Sequence, residues 1–293
     1  MESTQWRPIV FTSILFGEFF FGIIINAFIF ITTCMTWKEH RQLPSSDQIL
    51  LCLALSRLSL LVIVSVFNSV LTFLPHLYFQ ANVMVLGIRL FFSYSSIWFG
   101  TLLSVFYCMK ITNYNNTFFI YVKTRISKLV PWFIVGSLLA SLSSSLPIYW
   151  CIFTSDNLDL SNVTLRAAIK VPNYSNLFLI YNFGSSPPLV LCCFSVVLLF
   201  RYLWKHTRTM QESVSPNLES HFRVLRSMAC FFFLYISYYI IVNLTTTGLM
   251  RHDGPWIILC HIFTSATPVL HSAVLIFSIS KLRRAFQSLF TKF

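Results

Sequence analysis

The stretch Leu90–Met109 reads LFFSYSSIWFGTLLSVFYCM, 20 residues without a charged side chain. A helix of about 20 apolar residues spans the hydrocarbon core of a bilayer. Two runs before it, Pro8–Trp37 and Gln48–Ile88, contain one charge each, Glu18 and Arg57. Four charge-free runs of 24 to 30 residues follow it, at Leu129–Ser155, Val171–Phe200, Ser227–Met250 and Gly254–Ser280. This pattern predicts an all-α membrane protein, a bundle of seven transmembrane helices.

The overall composition points the same way. Hydrophobic residues make up 56% of the 293 positions and charged residues only 10%, whereas a soluble domain is about 25% charged. No stretch rich in Gly, Ser or Pro divides the chain, so we expect a single domain over residues 1–293. The predicted helices cover roughly residues 9–36, 49–73, 84–109, 129–150, 178–203, 224–247 and 256–280.

The basic residues predict the orientation of the bundle. If the amino terminus is outside, the cytosolic segments hold 15 Lys and Arg residues and the outer segments hold 5. Such an excess on one side follows the positive-inside rule. We therefore expect a multi-pass protein of the plasma membrane with a cytosolic carboxyl terminus. The basic surplus then meets anionic membrane lipid, and nucleic acid is not an expected partner.

One charged side chain lies near the middle of a predicted span. Burying Arg57 in a bilayer costs about 2.5–3.5 kcal/mol on insertion scales, so it should face the bundle interior and have partners. Asn26, His271 and Ser272 lie at a similar depth, about 14 Å from the inner surface at 1.5 Å per residue. We predict that these four residues form one hydrogen-bonded layer. Both a packing role and a switching role fit this layer.

Five short strings lie in order along the chain at matching depths. They are LLCLALSR at Leu50–Arg57, FYCMKITN at Phe106–Asn113, HTRTM at His206–Met210, HFRVLR at His221–Arg226 and HSAVLI at His271–Ile276. They resemble the LxxLAxSR, FYxxKIA/TN, HxxxM, HxxALK and HSxxLI strings of the bitter taste receptors, the type 2 taste receptor family of G-protein-coupled receptors. The chain departs from the family pattern at Leu102, where an Asn is frequent, and at Ile279-Ser280, where Asn-Pro is usual.

The resemblance implies a receptor for small bitter compounds that couples to a gustducin-type heterotrimeric G protein. It implies neither enzymatic activity nor a cofactor or metal. By analogy with the family, the ligand pocket comprises Trp98, Phe99, Leu102, Asn68, Thr72, Tyr238, Ile241, Thr245, His261 and Thr264. The G protein would contact the inner helix ends at Tyr107, Lys110, His206, Arg223 and Arg226.

Two other functions remain as alternatives: a vomeronasal-type pheromone receptor, and a secondary transporter from a different class. A monomer and a homo- or hetero-oligomer are both compatible with the sequence. Four N-x-[ST] sequons occur, at Asn115, Asn162, Asn173 and Asn243. The predicted topology leaves Asn162, in the long second outer loop, as the accessible glycosylation site.

Overall fold

The computed structural model describes residues 6–73, 78–113, 117–153, 174–209, 216–247 and 255–291. Within these ranges the chain is helical, and no strand occurs. The helices are α1 (Trp6–His40), α2 (Ser45–Phe73), α3 (Tyr78–Ile111), α4 (Thr117–Ser145), α5 (Pro147–Phe153), α6 (Tyr174–Thr209), α7 (Pro216–Thr246), α8 (Pro255–Ser278) and α9 (Ser280–Phe290). All except α5 and α9 are long and apolar enough to cross a membrane. The predicted seven-helix membrane bundle is therefore confirmed.

Helix α3 forms the centre of the bundle. Inside its membrane span 61% of the residues are buried, compared with 17–33% in the other six spans. Phe99, Leu103 and Phe106 of α3 join the largest apolar cluster, which also includes Ile49 of α2 and Leu275 of α8. Because α3 touches neighbours on several faces, its residues hydrogen-bond to α2 and α6 and pack against α7.

Some helices begin earlier than the predicted spans. Helix α4 starts at Thr117 rather than near residue 129, and α3 starts at Tyr78 rather than near residue 84. A charge-free run marks only the part of a helix inside hydrocarbon, whereas α4 continues through Lys123, Arg125 and Lys128. At its other end α4 stops at Ser145, and Pro147 begins α5. Proline suits a first helical position because the backbone N–H it lacks has no helical partner there.

The ends of α1 and α3, the start of α2, and α9 lie at the same end of the bundle, here called the basic end; the opposite end is the far end. Leu282 of α9 is buried in the main apolar cluster, and Phe286 packs against it. The Lys281 Nζ atom lies 2.5 Å from Oδ2 of Asp47, at the start of α2. An apolar face and one ion pair therefore fix α9 across the basic end.

The contact between α6 and α7 changes in character along its length. In the far half, Asn182 Nδ2 donates to Asn243 Oδ1 at 2.6 Å. The Tyr239 hydroxyl donates to Asn182 Oδ1 and lies 3.1 Å from Ser186 Oγ. In the basic half the buried contact is apolar and comprises Leu199, Leu203, Leu225 and Met228, with Cys108 of α3. Directional bonds therefore join one half of this helix pair and apolar packing the other.

Candidate functional site: a polar layer between two cavities

The four residues that were grouped by depth lie together in the bundle interior, and all four are buried. The Arg57 guanidinium reaches α8 through two atoms. Its Nη1 donates to Ser272 Oγ at 2.5 Å, and its Nη2 lies 2.7 Å from His271 Nδ1. Its Nε donates to Ser96 Oγ of α3 at 3.0 Å. One side chain of α2 therefore joins α3 and α8, and we call these residues, with Asn26, the polar layer.

Donor and acceptor roles within the polar layer follow from its chemistry. A guanidinium only donates hydrogen bonds, so Nδ1 of His271 accepts, and this imidazole is neutral with its proton on Nε2. Ser272 accepts from Arg57 and donates to Asn26 Oδ1 at 2.8 Å. Asn26 Nδ2 donates to the Gly22 carbonyl at 2.8 Å. The bonds thus run in one direction from the charge on α2, through α8, to the backbone of α1.

A cavity opens from the polar layer toward the far end. It is lined by Arg57, Leu60, Ser93, Ser96, Ile97, Phe231, Tyr235, Tyr238, Thr267, Pro268 and His271. We call it the central cavity. Its α7 wall comes from residues 231, 235 and 238, a spacing that puts all three on one helix face. Aromatic walls with a few hydroxyl groups and one cation suit a small organic ligand with a polar group.

A second cavity lies on the other side of the polar layer, toward the basic end. It is lined by Gly100, Leu103, Ser104, Tyr107, Val224, Ser227, Met228, Phe231, His271, Leu275, Ser278 and Ile279. We call it the basic-end cavity. Phe231 and His271 line both cavities. Their rings stack with centroids 4.2 Å apart, so this pair forms the partition between the two cavities.

Gly100 of α3 leaves the space that the Phe231 ring of the partition occupies. A Cβ atom at Gly100 of α3 would lie 2.6 Å from Cζ of Phe231, which is closer than side-chain carbons approach one another. The Phe231 ring also stacks on Tyr235, one turn along α7, with centroids 5.8 Å apart. The position of Phe231 therefore depends on α3, α7 and α8 together.

Of the ten residues assigned to the ligand pocket by resemblance, Tyr238 lines the central cavity. Phe99 is buried in the main apolar cluster, and Leu102 packs against that cluster. Trp98 packs against the buried residues Leu90, Tyr94, Ile148 and Ile180 between α3, α5 and α6. Its Nε1 atom is buried without a hydrogen-bond partner in the part of the chain that the structure describes.

The other six assigned pocket residues lie nearer the far end. The Thr245 hydroxyl donates to the Ile241 carbonyl of its own helix, at 3.0 Å, and the Thr264 hydroxyl to the Cys260 carbonyl, at 2.9 Å. His261 is exposed and Ile241 is half-buried. The side chains of the remaining two, Asn68 and Thr72 of α2, lie outside the described part of the structure.

The residues predicted to contact a G protein lie at or near the basic end. Tyr107 lines the basic-end cavity, and the ammonium of Lys110 lies 5.7 Å from the centroid of the Phe106 ring. The other three are His206 and Arg223, which are half-buried, and Arg226, which is exposed. Asn162, the predicted glycosylation site, lies outside the described residues.

Most residues that line the central cavity were not selected from the sequence, among them Ser96, Phe231 and Tyr235. Ser96 is one of three serines within four positions of α3, and only the rotation of that helix decides which of them meets Arg57. The signal for Phe231 and Tyr235 was present, because they precede Tyr238 by seven and three positions. Residues at these spacings share one face of a helix.

Comparison with known proteins identifies the family. The profile of the family described as Taste receptor protein (TAS2R) matches residues 1–293. The chain is 31% identical over 281 residues to Taste receptor type 2 member 2 of Homo sapiens, and the alignment covers 92% of each chain. It is 32% identical over 296 residues to Taste receptor type 2 member 7 of Papio hamadryas, covering 94% of this chain and 91% of the relative. It is also 32% identical over 290 residues to Taste receptor type 2 member 9 of Macaca mulatta, covering 94% and 92%.

These matches extend over more than nine-tenths of the chain and agree with the short strings quoted above. They confirm the predicted resemblance, and with it a multi-pass membrane receptor rather than an enzyme. In general terms, the family implies ligand binding and G-protein coupling. The chain belongs to the type 2 taste receptor family.

Proposed function

We propose that the chain is a plasma-membrane receptor for small bitter compounds and couples through a gustducin-type heterotrimeric G protein. Its amino terminus lies outside the cell and its carboxyl terminus in the cytosol, so that the basic end faces the G protein. The family match supports the ligand class, and the excess of Lys and Arg in one set of loops supports the orientation. Full-length matches to taste receptors count against both the pheromone receptor and the transporter.

The observation that carries the proposal is the partition of Phe231 and His271. A ligand in the central cavity touches one side of this pair, and the basic-end cavity lies on the other side. The pair joins α7 to α8, and His271 is bonded to Arg57 of α2. A ligand that displaces the partition therefore changes the packing of α7 against α8 at the basic end.

A ligand shifts the equilibrium between two helix arrangements only if it binds one of them more tightly than the other. A compound that binds two helix arrangements equally well shifts nothing, however tightly it binds. Tyr235 and Tyr238 on the α7 wall and Thr267 on the α8 wall are the residues whose spacing changes when these helices move. An agonist is a compound that fits these walls better in the signalling arrangement than in the resting one.

The residues assigned by resemblance extend this site toward the far end. We assign Trp98 a particular role, because its buried Nε1 donor has no hydrogen-bond acceptor among the described residues. A ligand carbonyl or ether oxygen would satisfy that donor. The further contacts proposed for this outer part are Asn68, Thr72, Ile241, Thr245, His261 and Thr264.

At the basic end, the proposed G-protein contact is formed by Tyr107, Lys110, His206, Arg223 and Arg226. Tyr107 lines the cavity next to the partition, so a rearrangement of the partition reaches it directly. Arginine can bond two acceptors at once through its planar fork. These side chains therefore suit carboxylate or backbone carbonyl groups of a partner helix.

Calcium release in cells that co-express a promiscuous G protein tests the receptor function. Cells that express the chain should respond to at least one member of a library of small bitter compounds, and cells without it should not. A transport current or tracer uptake without calcium release, at verified surface expression, would contradict the proposal.

The partition is tested with a matched pair of glycines. Gly100→Ala places a methyl group against the Phe231 ring, so the maximal calcium response should fall. Gly136→Ala makes the same change on α4, where the added carbon meets no described atom within 4 Å outside its own turn of helix, and should leave the response unchanged. Equal responses of the two variants at matched surface levels would show that the partition has no part in signalling.

A further inference from the structure

The positive charge of Arg57 is buried, and it has no negative partner among the residues that the structure describes. The side chain is 3% exposed, and its three bonding partners are two hydroxyl groups and a neutral imidazole. In the described ranges no carboxylate lies within ion-pair distance of it. Glu18, the acid deepest in a predicted span, lies two turns of α1 beyond Asn26, about 12 Å along the axis, and accepts a hydrogen bond from Ser265 at 2.5 Å.

This lack of a counter-ion is energetically unusual. Arginine does not lose its proton in proteins, so the site cannot become neutral by deprotonation. A buried ion is tolerated when a charge of opposite sign and further hydrogen bonds compensate for lost hydration. Ser96, Ser272 and His271 supply the hydrogen bonds but not the negative charge.

The guanidinium also has donor capacity left over. It carries five N–H groups, one on Nε and two on each Nη atom. Each nitrogen makes one contact in the polar layer, so one N–H on each Nη atom remains. Arg57 lines the central cavity, which is the open space beside it.

The walls of the central cavity near Arg57 suit an anion. Ser96 accepts from Nε of Arg57, which leaves the hydroxyl proton of Ser96 available to donate. Ser93 lies one turn away on α3 and lines the same cavity, and none of the described residues that line it is a carboxylate. Leu60, Ile97 and Phe231 form apolar walls, where a charge interacts more strongly than it does in water.

We propose that Arg57, with the hydroxyl groups of Ser93 and Ser96, binds a small anion at the floor of the central cavity. The anionic group is either a free chloride ion or the carboxylate of a compound that occupies the cavity. It supplies the missing negative charge and stabilises the polar layer. The site goes beyond the proposed taste function, because it needs no agonist and no G protein.

Thermal unfolding of the purified full-length receptor, in nanodiscs of neutral phosphatidylcholine and without agonist, tests this site. Sodium chloride replaces sodium gluconate at constant ionic strength, since the five hydroxyl groups of gluconate would lose their hydration against the apolar walls of the central cavity. The unfolding midpoint should rise by about 2–4 °C and saturate, as expected for a ligand that binds only the folded state. A second titration uses sodium benzoate as the probe for an organic carboxylate.

Three serine variants locate the effect. Ser93→Leu fills the cavity beside Arg57 without removing any bond of the polar layer, and should abolish the rise. Ser143→Leu is its control on the exposed face of α4 and should retain it. Ser93→Ala, the mildest change, removes one hydroxyl and should raise the half-saturating anion concentration by about 2–10-fold.

The two probes distinguish the sources of the anion. A rise with chloride that is lost in Ser93→Leu assigns the site to the inorganic ion, and a rise with benzoate alone assigns it to a ligand carboxylate. If neither salt raises the midpoint of the wild type, the proposal is overturned. The same holds if Ser93→Leu and Ser93→Ala both respond as the wild type does, because the anion then binds elsewhere.

Discussion

Ser96 and Ser95 offer a direct measurement of what the polar layer contributes to stability. They are neighbours on α3 and both are buried, but they bond differently. Ser96 accepts from the Arg57 guanidinium across the helix interface, whereas Ser95 donates to the Phe91 carbonyl of its own helix at 2.8 Å. Replacing each by Ala therefore removes the same atom, and only Ser96→Ala breaks a bond between helices.

The stability lost in Ser96→Ala depends on the charge of the hydrogen-bond donor, the Arg57 guanidinium. Hydrogen bonds between membrane helices average about 0.6 kcal/mol and reach about 1.7, whereas bonds to charged groups contribute about 1.5–3 kcal/mol. Ser96→Ala leaves one N–H of a buried guanidinium without its acceptor, so we expect a loss of about 1.5–2 kcal/mol. At about 2–4 °C for each kcal/mol, the unfolding midpoint should fall by about 3–8 °C.

Thermal unfolding of the purified receptor in detergent or nanodiscs, followed by a thiol-reactive or intrinsic fluorescence probe, gives the comparison. Ser95→Ala should stay within about 1 °C of the wild type, since its loss is a bond inside one helix. Equal midpoints for the two variants would refute the reasoning. They would mean that Arg57 finds another acceptor at no measurable cost.

The remaining predictions concern signalling and processing. Arg57→Ala should reduce surface expression and the maximal calcium response, because it removes the donor that joins α2 to α3 and α8; a shift in agonist potency alone would make Arg57 a ligand contact instead. Asn162→Gln should abolish the glycosidase-sensitive mass shift, and an unchanged shift would place the glycan elsewhere. Arg223→Lys should slow agonist-stimulated nucleotide exchange on purified G protein more than Arg226→Lys does. Arg223 lies one turn before Ser227, which lines the basic-end cavity, whereas Arg226 lies one turn after Phe222, which is exposed. Equal rates of nucleotide exchange in the two variants would contradict this difference.

The seven spans could be predicted because the physical rule behind them is local. A charge cannot lie in hydrocarbon without compensation, so the distances between charges along the chain mark where helices cross. The same rule selected the members of the polar layer other than Ser96. A buried Arg needs polar partners at its own depth, and depth can be counted from the helix ends.

The rotation of each helix about its axis could not be predicted in this way. The resemblance pointed to Trp98, Phe99 and Leu102 on α3, whereas Ser93, Ser96 and Ile97 line the central cavity. Adjacent helix positions differ by about 100° in direction, so a shift of one or two residues separates core from cavity. The direction is set by packing over long distances in the sequence, as where the Phe231 ring lies against Gly100.

The short helix α9 was missed for a different reason. Helix α9 has three charged residues among eleven, and it is not one of the helices long and apolar enough to cross a membrane. A search for charge-free runs cannot find such a helix. Its apolar residues, Leu282 and Phe286, fall four positions apart, and that period is the signal that identifies an amphipathic helix.

The α6–α7 pair has unequal stiffness along its length. The bonds among Asn182, Asn243 and Tyr239 tolerate little change in distance, whereas Leu and Met side chains such as Met228 can repack when their neighbours move. We therefore expect α7 to pivot at its hydrogen-bonded end, so that its basic end makes the larger movement. Asn243 and Arg223 are 20 residues apart, about 30 Å along the helix, so a tilt of α7 by about 10° at Asn243 moves Arg223 by about 5 Å.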